Sequence, residues 1–200
     1  MKKAAIIIFI KNPDLGRVKK RLAQTVGDEA ALEVYKQMLD HTLLITKSLS
    51  VDKFLYYDRE AVTNDNWPDD QYKKNLQSGP TMSARITNAF KEVFDAGYEH
   101  VAIIGSDCFD LEERIIRLAF RQLDHFDAVL GPTKDGGSYL FGLTNYQSDV
   151  FNVGGWGTPT LSRELQKAIQ RSKKSCFLLS ELPSITTVED LTDDLKSLVK

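Results

Sequence analysis

Short unbroken apolar runs alternate along the chain with segments in which apolar residues recur every three or four positions. The runs at Ala4 to Ile10, Phe54 to Tyr57, Val101 to Gly105, Ala128 to Gly131 and Cys176 to Leu179 have strand length. They lack the polar alternation of a half-exposed strand, which predicts burial on both sheet faces. Between them, Leu32, Tyr35, Met38, Leu39, Thr42 and Leu43 form one helical stripe, and Ile86, Phe90, Val93 and Phe94 form another, closed by Gly97 at a C′ position. Strands alternating with helices of this period predict parallel strands joined by crossover helices, an α/β sandwich of three layers.

Other stretches depart from this rhythm. Asp58 to Gln71 is polar apart from Val62, Trp67 and Pro68 and reads as an exposed excursion, followed by a weak strand over Tyr72 to Gln77. Thr158 and Pro159 predict a helix start, because threonine caps and proline suits the first helical position. Thr187 and Asp190 open a last helix in the same way. In "LGPTKDGGSYLFGL" a strand runs into Lys134, Asp135, Gly136 and Gly137, and apolar residues resume at once. That is the pattern of a hairpin or reversed strand, so the sheet is expected to be mixed, mostly parallel with one antiparallel member.

Composition narrows the function classes. Two hundred residues, 42% apolar and 27% charged, suit a single domain over residues 1–200 with a proper core. Twenty-six lysines and arginines nearly balance 28 acids, so no global field draws the chain to nucleic acid or to an anionic membrane. The opening "MKKAAIIIFIKNPDLGR" has the charge and apolar content of a signal peptide but no small-residue cleavage site, and it reads as a buried strand. No apolar stretch is long enough to span a bilayer. Cys108 and Cys176 are isolated, and His41, His100 and His125 lie far from them in sequence without zinc-ligand spacing. A reducing cytoplasm is the expected location; no oligomeric state is specified.

Ligands of open α/β sheets bind beyond the carboxyl ends of the strands. The first such loop, "KNPDLGRVKKRL", holds Lys11, Arg17, Lys19, Lys20 and Arg21 against the single acid Asp14. A helix beginning near Val18 would add its free N–H groups, making a cradle for a di- or triphosphate. A solvated basic turn is the equal alternative. The next loop, "VAIIGSDCFDL", ends a buried strand in Asp107 and Asp110. A triphosphate among cations commonly carries magnesium, which accepts one or two carboxylates. Asp107 is placed for that at the strand's end, whereas Asp110, three residues before Glu113, reads either as a second ligand or as a helix N-cap. Cys108 reads as packing. The hairpin contributes Asp135 with two glycines that permit close ligand approach. No Ser-His or Cys-His nucleophilic set is present, and neither a Walker nor a G-x-G-x-x-G pattern occurs.

Together these loops resemble bacterial glycosyltransferase-like proteins of the nucleotide-diphospho-sugar transferase (GT-A) fold, related to the molybdenum-cofactor and 2-phospho-lactate guanylyltransferases. "IIIFIKNPDLGRVKKRL" is similar to that family's opening strand and "PGRVKTRL" loop. "GSDCFDL" is similar to "GTDCPDL", "LGPTKDGGSYLFGL" to "LGPAEDGGYYLIGL", and "WGTPT" is unchanged at Trp156 to Thr160. The resemblance implies nucleotide contacts from Lys11, Arg17, Lys19, Arg21, Gln77, Arg85, Gly136 and Gly137. It places Mg2+ or Mn2+ on Asp107, with Asp135 completing the metal site or orienting the acceptor, and Tyr139 on the acceptor side. Catalysis would fall to Asp107, Asp135, Lys19 and Arg21. Departures lie at Thr81 and Thr186, where the family carries acids, and at Ser83, where it carries glycine. The function implied is nucleotidyl transfer from a nucleoside triphosphate to a small phosphorylated or acidic acceptor. Glycosyl transfer from a nucleotide-sugar and nucleotide binding without catalysis are the alternatives.

Overall fold

The computed structural model describes residues 2–199. Its elements run β1 (Ala4–Ile10), α1 (Lys20–Val26), α2 (Asp28–Lys47), β2 (Asp52–Tyr57), β3 (Tyr72–Leu76), α3 (Met82–Asp95), β4 (His100–Ile104), α4 (Glu113–Gln122), β5 (Ala128–Pro132), β6 (Ser138–Leu143), α5 (Ser148–Phe151), α6 (Leu161–Arg171), β7 (Cys176–Leu178) and α7 (Asp193–Lys196). One seven-stranded sheet has the order β3-β2-β1-β4-β6-β5-β7. All neighbouring pairs are parallel except those of β6, which is antiparallel to both β4 and β5. The expected mixed α/β sandwich is therefore the observed one.

Burial follows the reading of the apolar runs. Along β1, Ala5 and Ile7 join a core that includes Ile86, Phe90 and Val93 of α3 and Leu165 of α6. Ile6, Ile8 and Ile10 face the other layer, with Tyr35 and Leu39 of α2 and Ile116 of α4. Apolar side chains on both faces leave no polar alternation in the strand. A smaller third cluster, including Leu22, Val34, Met38, Leu191 and Leu195, seals the C-terminal segment against α1 and α2. Gly97 takes φ 83° behind α3, and its N–H donates to Phe94 O, as expected of a C′ glycine.

Several boundaries differ from expectation. The first helix starts at Lys20, because Val18 is pulled into the core and Lys19 adopts a left-handed φ of 45°. Asp110 caps nothing: it lies exposed in a turn, buried Leu111 follows, and Glu112 holds the N-cap position of α4. Thr158 and Pro159 belong to a turn in which Thr158 N–H donates to Gly155 O, so α6 begins only after Thr160. Thr187 and Asp190 do form a reciprocal capping box, but it closes one 3-10 turn over Val188–Asp190. The excursion after β2 is largely exposed, yet Trp67 is 4% exposed, packed edge-on against Tyr72. No described helix is long and apolar enough to cross a membrane.

His100, at the start of β4, is buried with no hydrogen-bond partner for Nε2 among the described residues. Burial, reinforced by the Lys2 charge, holds its pKa below 6.5 against the opposing pull of Asp124 and Glu99. Below that value the unfolded chain takes up a proton that the native state refuses. Stability should therefore fall as pH drops from 6.5 toward the depressed native value, and not change through this group above 6.5. Urea unfolding of wild type and His100→Gln between neutral and mildly acidic pH should show a flatter profile for the variant.

Candidate functional site

Because β6 runs opposite to both neighbours, β5 points the same way as β4. The β5–β6 turn therefore lies at the same sheet edge as the loops that leave β1 and β4. A cleft of about 590 Å3 opens along this edge. It is lined by Lys11, Lys19, Lys20, Arg21, Gln77, Arg85, Asp107, Asp135 and Gly137, residues drawn from four separate stretches of sequence. Of the residues singled out from the sequence as ligand-binding, Arg17, Asp110 and Gly136 are missing from the lining. Arg17 is exposed on the first loop, and Gly136 lies beneath the turn. A larger groove of about 840 Å3 lies between α4 and the C-terminal segment, but among the candidate acids it takes only Asp110.

The first loop is tied down from both sides. Asn12 is buried: its N–H donates to Asp58 Oδ1 at 2.7 Å, its Nδ2 donates to Glu60 O at 3.0 Å, and its Oδ1 accepts from Arg59 N at 3.2 Å. Asp14 pairs with Arg59. Tyr35 of α2 accepts from Lys11 N at 2.8 Å and donates to Lys11 O at 3.2 Å. Burial raises the Tyr35 phenol well above its ordinary value, so this hydroxyl stays protonated. Lys11, Lys20 and Arg21 project from the fixed loop, exposed and without an ion-pair partner among the described residues.

Asp107 stands at the end of β4 with its carboxylate 69% exposed. Its Oδ1 accepts from Lys19 Nζ at 2.6 Å, and that ammonium, on a side chain only 7% exposed, also donates to Ile185 O at 2.7 Å. Ile185 N–H in turn donates to Asp107 O at 2.8 Å. A single C-terminal segment thus clasps the first loop to the end of the central strand. The second carboxylate oxygen, Oδ2, accepts no hydrogen bond from the described residues. Cys108 beside it is buried, and burial pushes its thiol up to about 12, which fits packing and not nucleophilic work.

Asp135 is differently placed. Its Oδ1 accepts from Thr133 Oγ1 and from Gly137 N at 3.2 Å, and its Oδ2 accepts from Ser184 Oγ at 2.9 Å. Burial alone would raise its pKa, but the donors from Thr133, Ser184 and Gly137 together outweigh this and hold the carboxyl below the usual range. It is an anion at neutral pH that organises the turn. Gly136 has φ 87°, and a Cβ there would lie 1.9 Å from Pro159 O, so this glycine docks the hairpin against the "WGTPT" loop. Tyr139 borders the cleft but is buried and donates to Ser180 O at 2.9 Å. Gln77 and Arg85 brace the neighbouring loop: Gln77 Nε2 donates to Ile10 O at 2.9 Å, and Arg85 Nε donates to Gly79 O at 3.1 Å. At the departures from the resembled pattern, Thr81 caps α3 by accepting from Ala84 N, and Thr186 N–H donates to Asp190 Oδ2.

The two sides of the cleft differ in chemistry. Beside α1 and α2 it is cationic, whereas on the α3 and α6 side Phe9, Met82, Ile86, Phe141, Trp156 and Leu161 make an apolar wall. Met82 is 41% exposed there. Sequence reading missed Phe9, Tyr35, Met82, Ser184 and Ile185. Tyr35 counted only as one member of a core stripe, and nothing local distinguishes Ser184 or Ile185.

The arrangement is that of the nucleotide-diphospho-sugar transferase fold. A candidate nucleotide-diphospho-sugar transferase from Desulfovibrio desulfuricans G20 superposes with a TM-score of 0.85 at 28% identity, covering 95% of this chain and 85% of that one. The 2-C-methyl-D-erythritol 4-phosphate cytidylyltransferase of Thermus thermophilus shares the fold at TM-score 0.55 and 12% identity, over 99% of this chain and 97% of its own. So does a CMP:2-keto-3-deoxy-manno-octonic acid synthetase complexed with CTP, at TM-score 0.56 and 11% identity over 98% of each chain. By sequence the chain belongs to DUF2064, a family of uncharacterised proteins conserved in bacteria, whose pattern matches residues 42–158. No curated protein matches it in sequence.

Two glycines with similar positive φ offer a test of the hairpin docking. Gly97, the C′ glycine of α3, has φ 83° and nothing within 4 Å of an added Cβ, so Gly97→Ala should cost only the left-handed backbone strain, about 1–2 kcal/mol. Gly136→Ala adds a clash with the Pro159 carbonyl and should cost clearly more, about 3 kcal/mol or above. Thermal unfolding of the two variants side by side checks the difference.

Proposed function

We propose that this protein is a metal-dependent nucleotidyltransferase that moves a nucleotidyl group from a nucleoside triphosphate to a small phosphorylated or acidic acceptor. One observation carries the reading: a single cleft sets the exposed carboxylate of Asp107 beside Lys11, Lys20 and Arg21, three cations without partners among the described residues. Phosphates are the ligands that such a group recognises, arginine by paired donors and lysine by point charge.

Asp107 suits Mg2+ or Mn2+: its carboxylate is exposed, one oxygen is unengaged, and magnesium needs only one or two protein carboxylates when substrate oxygens complete its shell. Asp135 suits it less, since both of its oxygens already serve Thr133, Gly137 and Ser184. No group of three or more His, Cys, Asp or Glu side chains assembles among the described residues, so the site would rest mainly on Asp107. When bound, the metal would neutralise charge between that carboxylate and the donor phosphates.

The remaining work belongs to the chain. Lys11, Lys20 and Arg21 bind the polyphosphate along the α1 side, and Asn12 and Tyr35 keep their loop in place. The apolar wall around Met82 and Trp156 excludes water and receives the uncharged parts of the substrates. The hairpin turn, held by Asp135 against Pro159, orients the acceptor for in-line attack. Positioning and charge stabilisation supply the rate, and no protein nucleophile is needed.

Glycosyl transfer from a nucleotide-sugar is the second reading, favoured by the 28% identical Desulfovibrio protein. Incubation with each nucleoside triphosphate and nucleotide-sugar, plus Mg2+ or Mn2+ and small phosphorylated acceptors, separates the two: pyrophosphate marks the first reaction and nucleoside diphosphate the second. Metal-dependent binding without turnover would mark a nucleotide-binding protein without catalysis. Asp107→Asn should abolish metal-dependent nucleotide binding while leaving the protein folded, at a cost of about 1–3 kcal/mol, because the asparagine carbonyl still accepts from Lys19 although the charge opposite that buried ammonium is lost. Calorimetric binding equal to wild type would remove Asp107 from the site.

A further inference from the structure

The cation already at Asp107 is part of the protein. Lys19 Nζ lies 2.6 Å from Asp107 Oδ1 and 2.7 Å from Ile185 O, a position where one positive charge satisfies a carboxylate and a carbonyl together. Three features make this arrangement unlike an ordinary surface ion pair. The Lys19 side chain is 7% exposed although its partner carboxylate is 69% exposed, so the lysine is the buried member. Lys19 also holds a left-handed φ of 45°, a conformation that costs a non-glycine residue about 1–2 kcal/mol and persists where the surroundings impose it. Finally, the carbonyl it grips belongs to a residue whose N–H is itself bonded to the Asp107 backbone, so ammonium, carboxylate and carbonyl form one fixed pocket. Lys11, Lys20 and Arg21, on the same loop, are exposed and without ion-pair partners among the described residues.

We propose that Lys19 is a built-in counter-ion occupying the divalent-cation position of Asp107, and that the site accepts a metal–polyphosphate complex by exchange: the metal takes the carboxylate while the released ammonium takes up phosphate. The inference rests on the reading of Asp107 as the metal carboxylate. Its physical basis is that two cations on one carboxylate repel each other, and the displaced ammonium, losing both acceptors, needs a new anion. A free metal ion offers it none. A metal–nucleotide complex brings its own phosphate oxygens, so exchange is favourable when metal and polyphosphate arrive together and costly for the bare ion. Lys19 thereby selects the complex over the bare ion and guards Asp107 in between. Lys19 is in this view a positioning residue for the metal and a phosphate ligand once displaced.

The test uses Mn2+ alone, followed by electron paramagnetic resonance of the free ion, on wild type, Lys19→Met and Asp107→Asn. Removing the competing charge should tighten Mn2+ binding by about tenfold in Lys19→Met, the order expected for one nearby charge near a protein surface. The same variant should bind Mn2+–nucleotide more weakly than wild type. A second measurement needs no variant: pulse acetylation read by mass spectrometry should find Lys19 protected in the free protein and several-fold more reactive at Mn2+ concentrations that saturate the site without nucleotide, with exposed Lys11 and Lys20 as controls. Unchanged or weaker Mn2+ binding by Lys19→Met overturns the proposal, and so does a Lys19 that stays protected with the metal bound. If instead Asp107→Asn binds Mn2+ as well as wild type, the reading of Asp107 itself falls, and the exchange with it.

Discussion

The architecture turns on one strand that runs the wrong way. β6 enters between β4 and β5 antiparallel to both, so the chain doubles back directly after β5, at the edge where β1 and β4 also end. A parallel strand in that place would have required a crossover connection of roughly a dozen residues or more and left no tight turn at this edge. Instead, a five-residue turn, 133–137, folds against Pro159 and brings Asp135 to the cleft that Asp107 already borders. The C-terminal segment then spans both acids, with Ser184 on Asp135 and Ile185 on Asp107.

Much of this was legible in the sequence because it depends on local signals. The buried strands carry continuous apolar runs, the helices carry clear stripes, and Asp-Gly-Gly between two apolar runs announces the reversal. Element ends were less legible. The start of α1 is decided by Val18 entering the core, and that of α6 by the turn in which Thr158 bonds back to Gly155. Asp110 shows the limit of capping patterns: the right residue type at the right spacing lost its role because Leu111 is drawn inward.

The candidate site was legible in its charges and illegible in its scaffolding. Lysines and acids at the ends of strands advertise themselves, and most of the residues singled out as ligand-binding or catalytic border one cleft. Which of them are occupied by other protein groups could not be read from spacing. Gln77 and Arg85 are engaged in holding a loop, and Asp135 is saturated by three donors contributed from positions 133, 137 and 184. The bonds from Gln77 to Ile10 and from Ser184 to Asp135 join distant parts of the chain, so they exist only once it is folded.

The anchoring of the first loop has a consequence for ligand capture. Flexible basic loops lose conformational freedom when they close on an anion, and that loss is subtracted from affinity. Here Asn12, Asp14 and Tyr35 have already fixed the backbone through Asp58, Arg59 and the Lys11 peptide groups. The ordering entropy is met during folding, so an anion bound there would immobilise only side-chain tips. A cleft prepared in this way would need fewer contacts for a given affinity.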